Sequence, residues 1–589
     1  MCFRKEYFNK TYVALFIFIC IALVFCAPLL KNIVNWGVED WDEYFFRNAL
    51  ARTTILRYQQ FPLWNPYTCG GNVFLAHPAS GFLSPFFIFI LLFGEVVGLK
   101  ITVVVYLIIG MFGMFLLARY LGLEFPSSYL AAFIYMLNAI YPMHVTAGLV
   151  GEFTMAFMPL IFLFYLKGFQ NKKYLLLSAL FIFLMLAGGS LRAVIIFSLF
   201  LFVYSLFKAG QERGPQPVEN LFVVFIFAFF LSAIKTIPML EFLKSHAYIK
   251  ENLEIMRITE LPTLLFRKVS TYDPEGGIFS RLAYDWYHCG SYIGTLSFFL
   301  FIVAAILYFR TNWPLVFTGI IFLFLAAGKI LPTDKNNFIY SLPVLSSILS
   351  SLYSRPRFIL GLIFTISIMA GMGLSRLENF FPNNFFSKVS AIIIVIFILF
   401  DLVNTNGPLL KEAFTLPPQE GERSPFFHQG LSSLDYLKED SDVYQRFLSN
   451  RGTINAQEID NVYISTKNVL AFSSPDYKGE AYLWKGSGMA KIKYFSPNKV
   501  IVEVTASGED TFILNQNFYK GWKVKKGKII NNACNFEGLI AAPVSPGKLD
   551  LEFFYLPDSF ILGVILSFLT ALLGIFLIMA KPKKELIKK

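Results

Sequence analysis

Apolar runs about as long as a bilayer is thick recur along most of this chain. A helix needs about 20 apolar residues to cross the hydrocarbon core. By that measure spans are predicted near 11–30, 97–118, 127–143, 153–168, 174–189, 191–207, 220–240, 291–309, 313–331, 357–374, 388–404 and 559–580. The run 82–94 is also apolar, but it is short, opens on Ser84-Pro85 and is interrupted at Gly94-Glu95. It reads as a re-entrant or interfacial segment. Ahead of the last span the pattern changes. Val500-Ile501-Val502-Glu503-Val504 and Leu549-Asp550-Leu551-Glu552-Phe553 come close to strict alternation, the period of half-buried strands. Gly508-Glu509-Asp510, Lys525-Lys526-Gly527-Lys528 and Ser545-Pro546-Gly547 supply turns. A small antiparallel sandwich is expected there, behind a mixed segment at 405–470.

The expected organisation is a transmembrane part over 1–404 with a first polar loop at 31–96, a β-rich region over 405–558, and a last span with a basic tail over 559–589. Sidedness follows from the basic residues. With about twelve spans, Arg119, Lys167, Lys172, Lys173, Lys208, Arg213, Arg310, Arg376 and the tail Lys581-Pro582-Lys583-Lys584 share one side, which the positive-inside rule makes cytoplasmic. Counting 82–94 as a full span puts several of them outside. Met1 to Lys10 is short and basic, and Ala27-Pro28 is a poor cleavage site, so the first run is expected to stay as an uncleaved span. Both termini are then cytoplasmic. The segments 31–96, 144–152, 188–192, 241–290 and 332–356 gather outside with the β-rich region.

Composition agrees. The chain is 56% hydrophobic and 15% charged, against roughly 45–50% and 25% in a soluble domain. Its net charge of +12 sits mostly in short loops between apolar runs, so it is a topology signal and no nucleic-acid partner is expected. Cys2, Cys20 and Cys26 lie in or before the first span, and Cys69, Cys289 and Cys534 lie outside, where three thiols permit at most one disulfide. No Cys/His spacing resembles a zinc site, and there is no Walker loop, dinucleotide fingerprint or nucleophile elbow.

The chemical signal lies just past the first span. Asp40-Trp41-Asp42-Glu43 is followed by Gln60-Phe61-Pro62-Leu63-Trp64-Asn65-Pro66-Tyr67, Cys69-Gly70-Gly71, Leu75-Ala76-His77-Pro78 and Leu83-Ser84-Pro85. Carboxylates beside a membrane are costly unless solvated or used. This loop resembles the first outer loop of YfhO-type bacterial membrane proteins, in the type C (GT-C fold) glycosyltransferase superfamily. Gly110-Met111-Phe112-Gly113 through Leu121-Gly122 is similar to the family's second span, Ser354-Arg355-Pro356-Arg357-Phe358 to the start of a late span, and Tyr519-Lys520-Gly521-Trp522 with Tyr555-Leu556-Pro557 to its outer domain. Lys520 departs from the Pro often found before Gly-Trp, and 241–290 matches nothing in the family, which leaves the acceptor open.

The resemblance implies a GT-C-like polytopic α-helical membrane protein with an extracytoplasmic β-rich domain. It implies transfer of a sugar from a polyprenyl-phosphate donor to a lipid, glycan or protein acceptor, with a first-loop carboxylate as base. Asp42 is the first choice and Asp40 is close behind; the alternative is a pair of helix-start acids complementing the macrodipole. Arg357, Arg355 and Arg192 fall at outer mouths of spans, where guanidinium groups bind phosphate or merely snorkel. Glu43, Trp64, Asn65, Tyr67, His77, His144 and Glu152 are candidate substrate contacts. For the aromatics, together with Trp41, an interfacial belt is an equal alternative; for His144 and Glu152 it is ordinary loop polarity. Arg281, Asp285 and His288 are weaker acceptor candidates. No metal constellation stands out, and a divalent cation stays open. The competing function is a transporter or flippase of a lipid-linked saccharide, or a non-catalytic envelope assembly protein. A transporter would more typically show internal repeats and midplane charges; here Lys235 and Lys329 are the main intramembrane charges, both near span ends.

Overall fold

Each of the twelve apolar stretches is helical at least in part in the structure, a computed structural model that describes residues 2–37, 39–245, 256–268, 290–329, 355–380, 385–411, 413–419, 421–431, 442–455 and 468–580. The helices are not all full spans. Among the described residues seven are long and apolar enough to cross a membrane, or eight if Gln216–Leu231 and Ala233–Ser245, which meet at 83°, form one span. Thr11–Phe25, Lys173–Ala187 and Thr295–Leu307 are apolar but shorter. The last helix, Asp558–Met579, shows why lipid must surround the bundle: Phe568, Phe576 and Met579 are 63%, 67% and 77% exposed, a contiguous apolar surface that water would not tolerate.

Two breaks have local causes. The expected span 127–143 ends early because Asn138 turns its side chain on its own backbone. Its amide donates to the carbonyls of Ile134 (3.1 Å) and Tyr135 (2.6 Å) and its carbonyl accepts from the Ile140 amide (2.9 Å). The helix Phe125–Leu137 therefore stops, and Ile140–Thr146 starts afresh. The run 82–94, expected to be interfacial, yields only the helix Phe87–Phe93, ended by Gly94 at φ +82°.

Buried lysines tie the loops to the bundle. Lys100, which the sequence reading passes over, donates from Nζ to the carbonyls of Asn32 (2.7 Å), Ile33 (3.0 Å) and Asn35 (2.6 Å) and lies 4.0 Å over the Phe414 ring. Lys235 donates to the carbonyls of Pro78 (2.9 Å), Ser80 (2.5 Å) and Leu186 (2.9 Å). Each ammonium satisfies carbonyls that would otherwise be orphaned in a dry region.

The β-rich C-terminal region is present and antiparallel. One sheet orders Ile529–Asn532, Trp522–Lys526, Gly547–Tyr555, Lys499–Ala506 and Gly488–Ser496; the other orders Cys534–Phe536, Leu539–Val544, Asp510–Asn517 and Ala481–Leu483. Val502, Val524, Leu551 and Phe553 of the first meet Phe512, Leu514, Ile540 and Ala542 of the second, with the Phe512 and Phe553 rings 5.2 Å apart. The smaller sheet is covered on its other face too, where Ile513, Leu539 and Ala541 pack with Ile454, Val469 and Ala471. Asp510–Asn517 is accordingly buried at nearly every position and lacks alternation.

Glu480 is buried beside this sheet. One carboxylate oxygen accepts from the Gln429 amide (2.7 Å) and the Tyr477 hydroxyl (2.8 Å), and the other from the Asn515 amide group (3.3 Å). Burial outweighs these bonds and pushes the carboxyl from 4.5 up to about 7. A carboxyl raised on folding favours the protonated folded state, so its stabilising contribution is full below 4.5 and is lost as pH rises through about 7. Thermal unfolding is expected at a higher temperature near about pH 5 than near about pH 8, and Glu480→Gln is expected to flatten that difference.

Candidate functional site

The acidic start of the first polar loop is the beginning of a helix, Trp41–Leu56, with Asp40 as its N-cap residue. No Gly or Pro interrupts 41–56, and Asp42 and Glu43 in the first turn suit the dipole. Asp40 already has helical dihedrals (φ −63°, ψ −10°). Helical periodicity then places Asp40, Tyr44, Arg47 and Asn48 on one side, and Asp42, Phe45, Phe46 and Ala49 on the other.

The second side holds the helix Asp442–Leu448. The two Asp42 oxygens accept from the backbone amides of Val443 (2.9 Å) and Tyr444 (2.8 Å). Phe46 meets Phe447 at 5.6 Å, and Tyr444 donates its hydroxyl to Glu95 at 2.6 Å. Asp42 thus binds the start of that short helix.

The first side faces two adjoining cavities that share Tyr44. The first is a small cleft lined by Tyr44, Gly151, Glu152, Gly189, Ser190 and Arg192, among others. Glu152 lies on the 3-10 turn Val150–Phe157 and is 3.6 Å from Arg357 Nη1, with both side chains buried. Arg357 belongs to the turn Arg355–Phe358 that leads into the helix Ile359–Phe380; the side chain of Arg355 lies outside the described part. Ser190 caps the helix Leu191–Glu212, accepting from the Ala193 amide at 3.2 Å, which sets Arg192 in its first turn. The glycines are needed because backbones touch: a Cβ on Gly189, at φ +87°, would lie 2.7 Å from the Ala79 carbonyl oxygen. Glu152 and Arg192 thus share one cavity wall, with Arg357 behind Glu152.

The second cavity, also small, is lined from the same helix by Tyr44, Arg47 and Asn48, and beyond them by Ser84, Tyr106 and a cluster of Phe side chains. Arg47 Nε is 2.7 Å from Glu43, and the pair is buried. Tyr44 and Arg47 escaped the sequence reading; extending the helix one turn past Glu43 would have put them on the Asp40 face.

Several expected substrate contacts are placed elsewhere. Trp64 is 1% exposed, donates from its indole to Gln516 (2.9 Å) and packs edge-on against Trp522 at 5.3 Å. Asn65 turns the chain, bonding Thr68 (2.6 Å) and accepting from the Tyr67 amide (2.9 Å). Tyr67 is buried and donates to Asn450 at 3.2 Å. The Leu63 and Trp64 amides donate to Asn498 (3.2 and 2.9 Å), and Asn517 donates to the carbonyls of Cys69 (2.6 Å) and Gly71 (3.1 Å). These motif residues dock the loop on the sandwich. Trp41, offered as a belt or stacking residue, is wholly buried. His77 is buried, accepts from the Ala79 amide at 3.2 Å and meets Phe242. His144 is buried in Ile140–Thr146. Arg281, Asp285 and His288 lie outside the described residues. Among the described residues no group of three or more His, Cys, Asp or Glu is placed to hold a metal ion.

Helices and composition define a multi-pass membrane protein with a β-sheet domain near its C-terminus. No family model and no curated protein matches the chain. Among solved structures, the arabinofuranosyltransferase AftD from Mycobacteria is similar at 14% identity and a TM-score of 0.41, over 68% of this chain and 27% of that one. ArnT from Cupriavidus metallidurans bound to undecaprenyl phosphate is similar at 13% and 0.37, over 74% and 84%, and its apo form at 13% and 0.34, over 76% and 85%. At these TM-scores the likeness carries no assignment.

Two experiments test the placement. Trp64→Ala empties a filled space and is expected to cost about 3–5 kcal/mol, read by denaturant unfolding in detergent. Glu152→Gln and Arg357→Gln are each expected to destabilise, and the double variant less than their sum, by about 1 kcal/mol or more of coupling. Strict additivity would mean the pair does not interact.

Proposed function

We propose that the protein moves a sugar from a polyprenyl-phosphate donor to an acceptor hydroxyl at the membrane face that bears the β-domain, taken as the outer face. The observation that carries this reading is the cavity that brings Arg192 and Glu152 together, with Arg357 behind Glu152 at 3.6 Å, bordered by the helix face that bears Asp40 and Tyr44.

The phosphate of the donor would sit against Arg192 and Arg357, where guanidinium groups match its oxygens and offset the charge that builds as it leaves. Arg355, two residues before Arg357, is the other expected phosphate ligand, and its side chain lies outside the described part. The acceptor oxygen attacks the anomeric carbon, the bond from that carbon to the phosphate oxygen breaks, and the phosphate keeps the electron pair. The hydroxyl proton goes to a carboxylate.

Of the two expected bases, Asp40 fits better. Both oxygens of Asp42 are taken by the Val443 and Tyr444 amides on the far side of the helix. Asp40 shares its side with Tyr44, and its backbone rests on the Ala147 turn, two residues before Leu149 of the cavity wall. Glu43 is held by Arg47 and serves as a fixed charge.

Asp40→Asn is expected to fold and to lose transfer by about 10²–10⁴-fold, the usual contribution of a positioned base. Asp42→Asn is expected to keep turnover and to unfold at a lower temperature, because its charged bonds to two amides are lost. Release of radiolabelled sugar from polyprenyl phosphate by purified protein in lipid measures both. Full activity in Asp40→Asn would remove that residue as base, and loss of activity in a stable Asp42→Asn would return the role to Asp42.

A further inference from the structure

The smaller sheet of the sandwich has one face turned away from the other sheet, where Ile454, Val469 and Ala471 pack on Ile513, Leu539 and Ala541. Three aromatic side chains lie beside that cluster. Leu483 is buried in the sandwich, so alternation puts Tyr482 and Trp484 on the turned-away face, and Tyr482 and Phe536 pack against the cluster there. Trp484 follows the strand Ala481–Leu483 and Phe536 ends the strand Cys534–Phe536, which are the two edges of this sheet. Their rings nevertheless meet, 4.9 Å apart and tilted by 59°, above the strands between them. Trp484 stays 42% exposed.

Polar groups flank these rings. Lys478 Nζ lies 5.7 Å from the centre of the Tyr482 ring and 5.2 Å from that of Trp484. Burial, and then the nearby Glu537 carboxylate, raise the Tyr482 hydroxyl above its usual 10. The Asn468 amide group donates to the Glu537 carbonyl. An ammonium, a carboxylate and an amide thus stand around half-bare aromatic faces.

Two bland explanations fail on position. An interfacial belt would sit at the lipid headgroups. The strand Gly547–Tyr555 runs through Leu556-Pro557 into the last span, so its Tyr555 end is the membrane end and Gly547, paired with Ala506, is the far end. Asp510–Asn517 starts at that far end, and the Trp484 amide donates to the Thr511 carbonyl at 2.9 Å. Trp484 therefore stands away from lipid. A protein partner of ordinary interface size needs a wider apolar core, and here exposed Lys478, Lys485, Glu509 and Glu537 close in around the rings.

We infer that Trp484, Phe536 and Tyr482 form a binding site for a glycan chain. The C–H face of a sugar ring is weakly positive and apolar, and it stacks on the negative face of an aromatic ring. The hydroxyls at the sugar's rim need donors and acceptors at the edge of such a platform, which Lys478, Asn468 and Glu537 supply. The tilt between Trp484 and Phe536 suits successive units of one turning chain better than a flat crystalline array. Ring and rim are both fixed to a sheet, so little ordering is lost on binding. The site stands independently of the transferase reading, because it involves neither cavity.

The test is affinity electrophoresis of the full chain in detergent, without any donor, through native gels holding dextran, xylan, galactomannan, polygalacturonate or the polysaccharide extracted from the source cells. Retardation by at least one of them is expected. Trp484→Leu, which keeps the sheet covered and removes the ring, is expected to weaken binding about tenfold or more, and Trp484→Tyr to stay within about threefold of the parent. Phe536→Leu is the second variant should Trp484→Leu fail to fold, with thermal unfolding as the control. Retardation by none of the polysaccharides overturns the inference, as does undiminished binding in the folded leucine variants. Concentration-dependent dimerisation that Trp484→Leu abolishes, read by light scattering, would assign the rings to a second copy and overturn it as well.

Discussion

The seat of Trp41 holds the rest in place. Its ring is wholly buried, its indole donates to the Val145 carbonyl at 2.7 Å, and two glycines close around it. A Cβ on Gly37 would lie 2.3 Å from the Trp41 ring, and one on Gly148 would lie 2.4 Å from the Trp41 nitrogen. With the first residue of a helix wedged this tightly, the helix cannot rotate. A turn by one residue would carry Asp40 away from the cavity side and Asp42 away from the Val443 and Tyr444 amides. One large side chain thus decides which of two neighbouring acids bonds the Val443 and Tyr444 amides and which shares a helix side with Tyr44.

The walls around that helix depend on a different economy. Irregular backbone near lipid leaves carbonyls with no water to bond, and each costs several kcal/mol if left alone. Lys235 gathers three of them, two from the Pro78–Ser80 bend and one from Leu186. Those two segments lie beside Ala79, Gly81 and Gly188 of the second cavity and Gly189 of the first. The lysine that the sequence marks as an intramembrane charge therefore fixes the shape of both chambers without entering either. Lys100 does the same for 32–35, which leads into the acidic helix.

How much of this was legible beforehand depended on whether a residue's partner was local. Strands such as Lys499–Ala506 show their alternation because one sheet face meets solvent, whereas Asp510–Asn517 hides it because both faces are covered. The stop at Asn138 comes from one side chain bonding its own turn, which an apolar average smooths over. The aromatic loop motif was visible, and its purpose was not. Trp64 and Tyr67 look like sugar platforms until their partners, Gln516 and Asn450, arrive from over 380 positions away. Arg192 and Arg357 stand out in the sequence at span mouths and Glu152 in a short outer turn, and the structure puts Glu152 beside Arg357 and in one cavity wall with Arg192.

That convergence explains why a cavity with charge can exist here. A lone buried arginine would be expelled or neutralised by its surroundings. Glu152 lies 3.6 Å from buried Arg357 and shares the first cavity's wall with Arg192, half-buried at the mouth of its helix. On the helix Trp41–Leu56, Glu43 pairs with Arg47 one turn along, at 2.7 Å. The same residue types thus pair in two places around one helix, and Tyr44 stands where the two cavities meet.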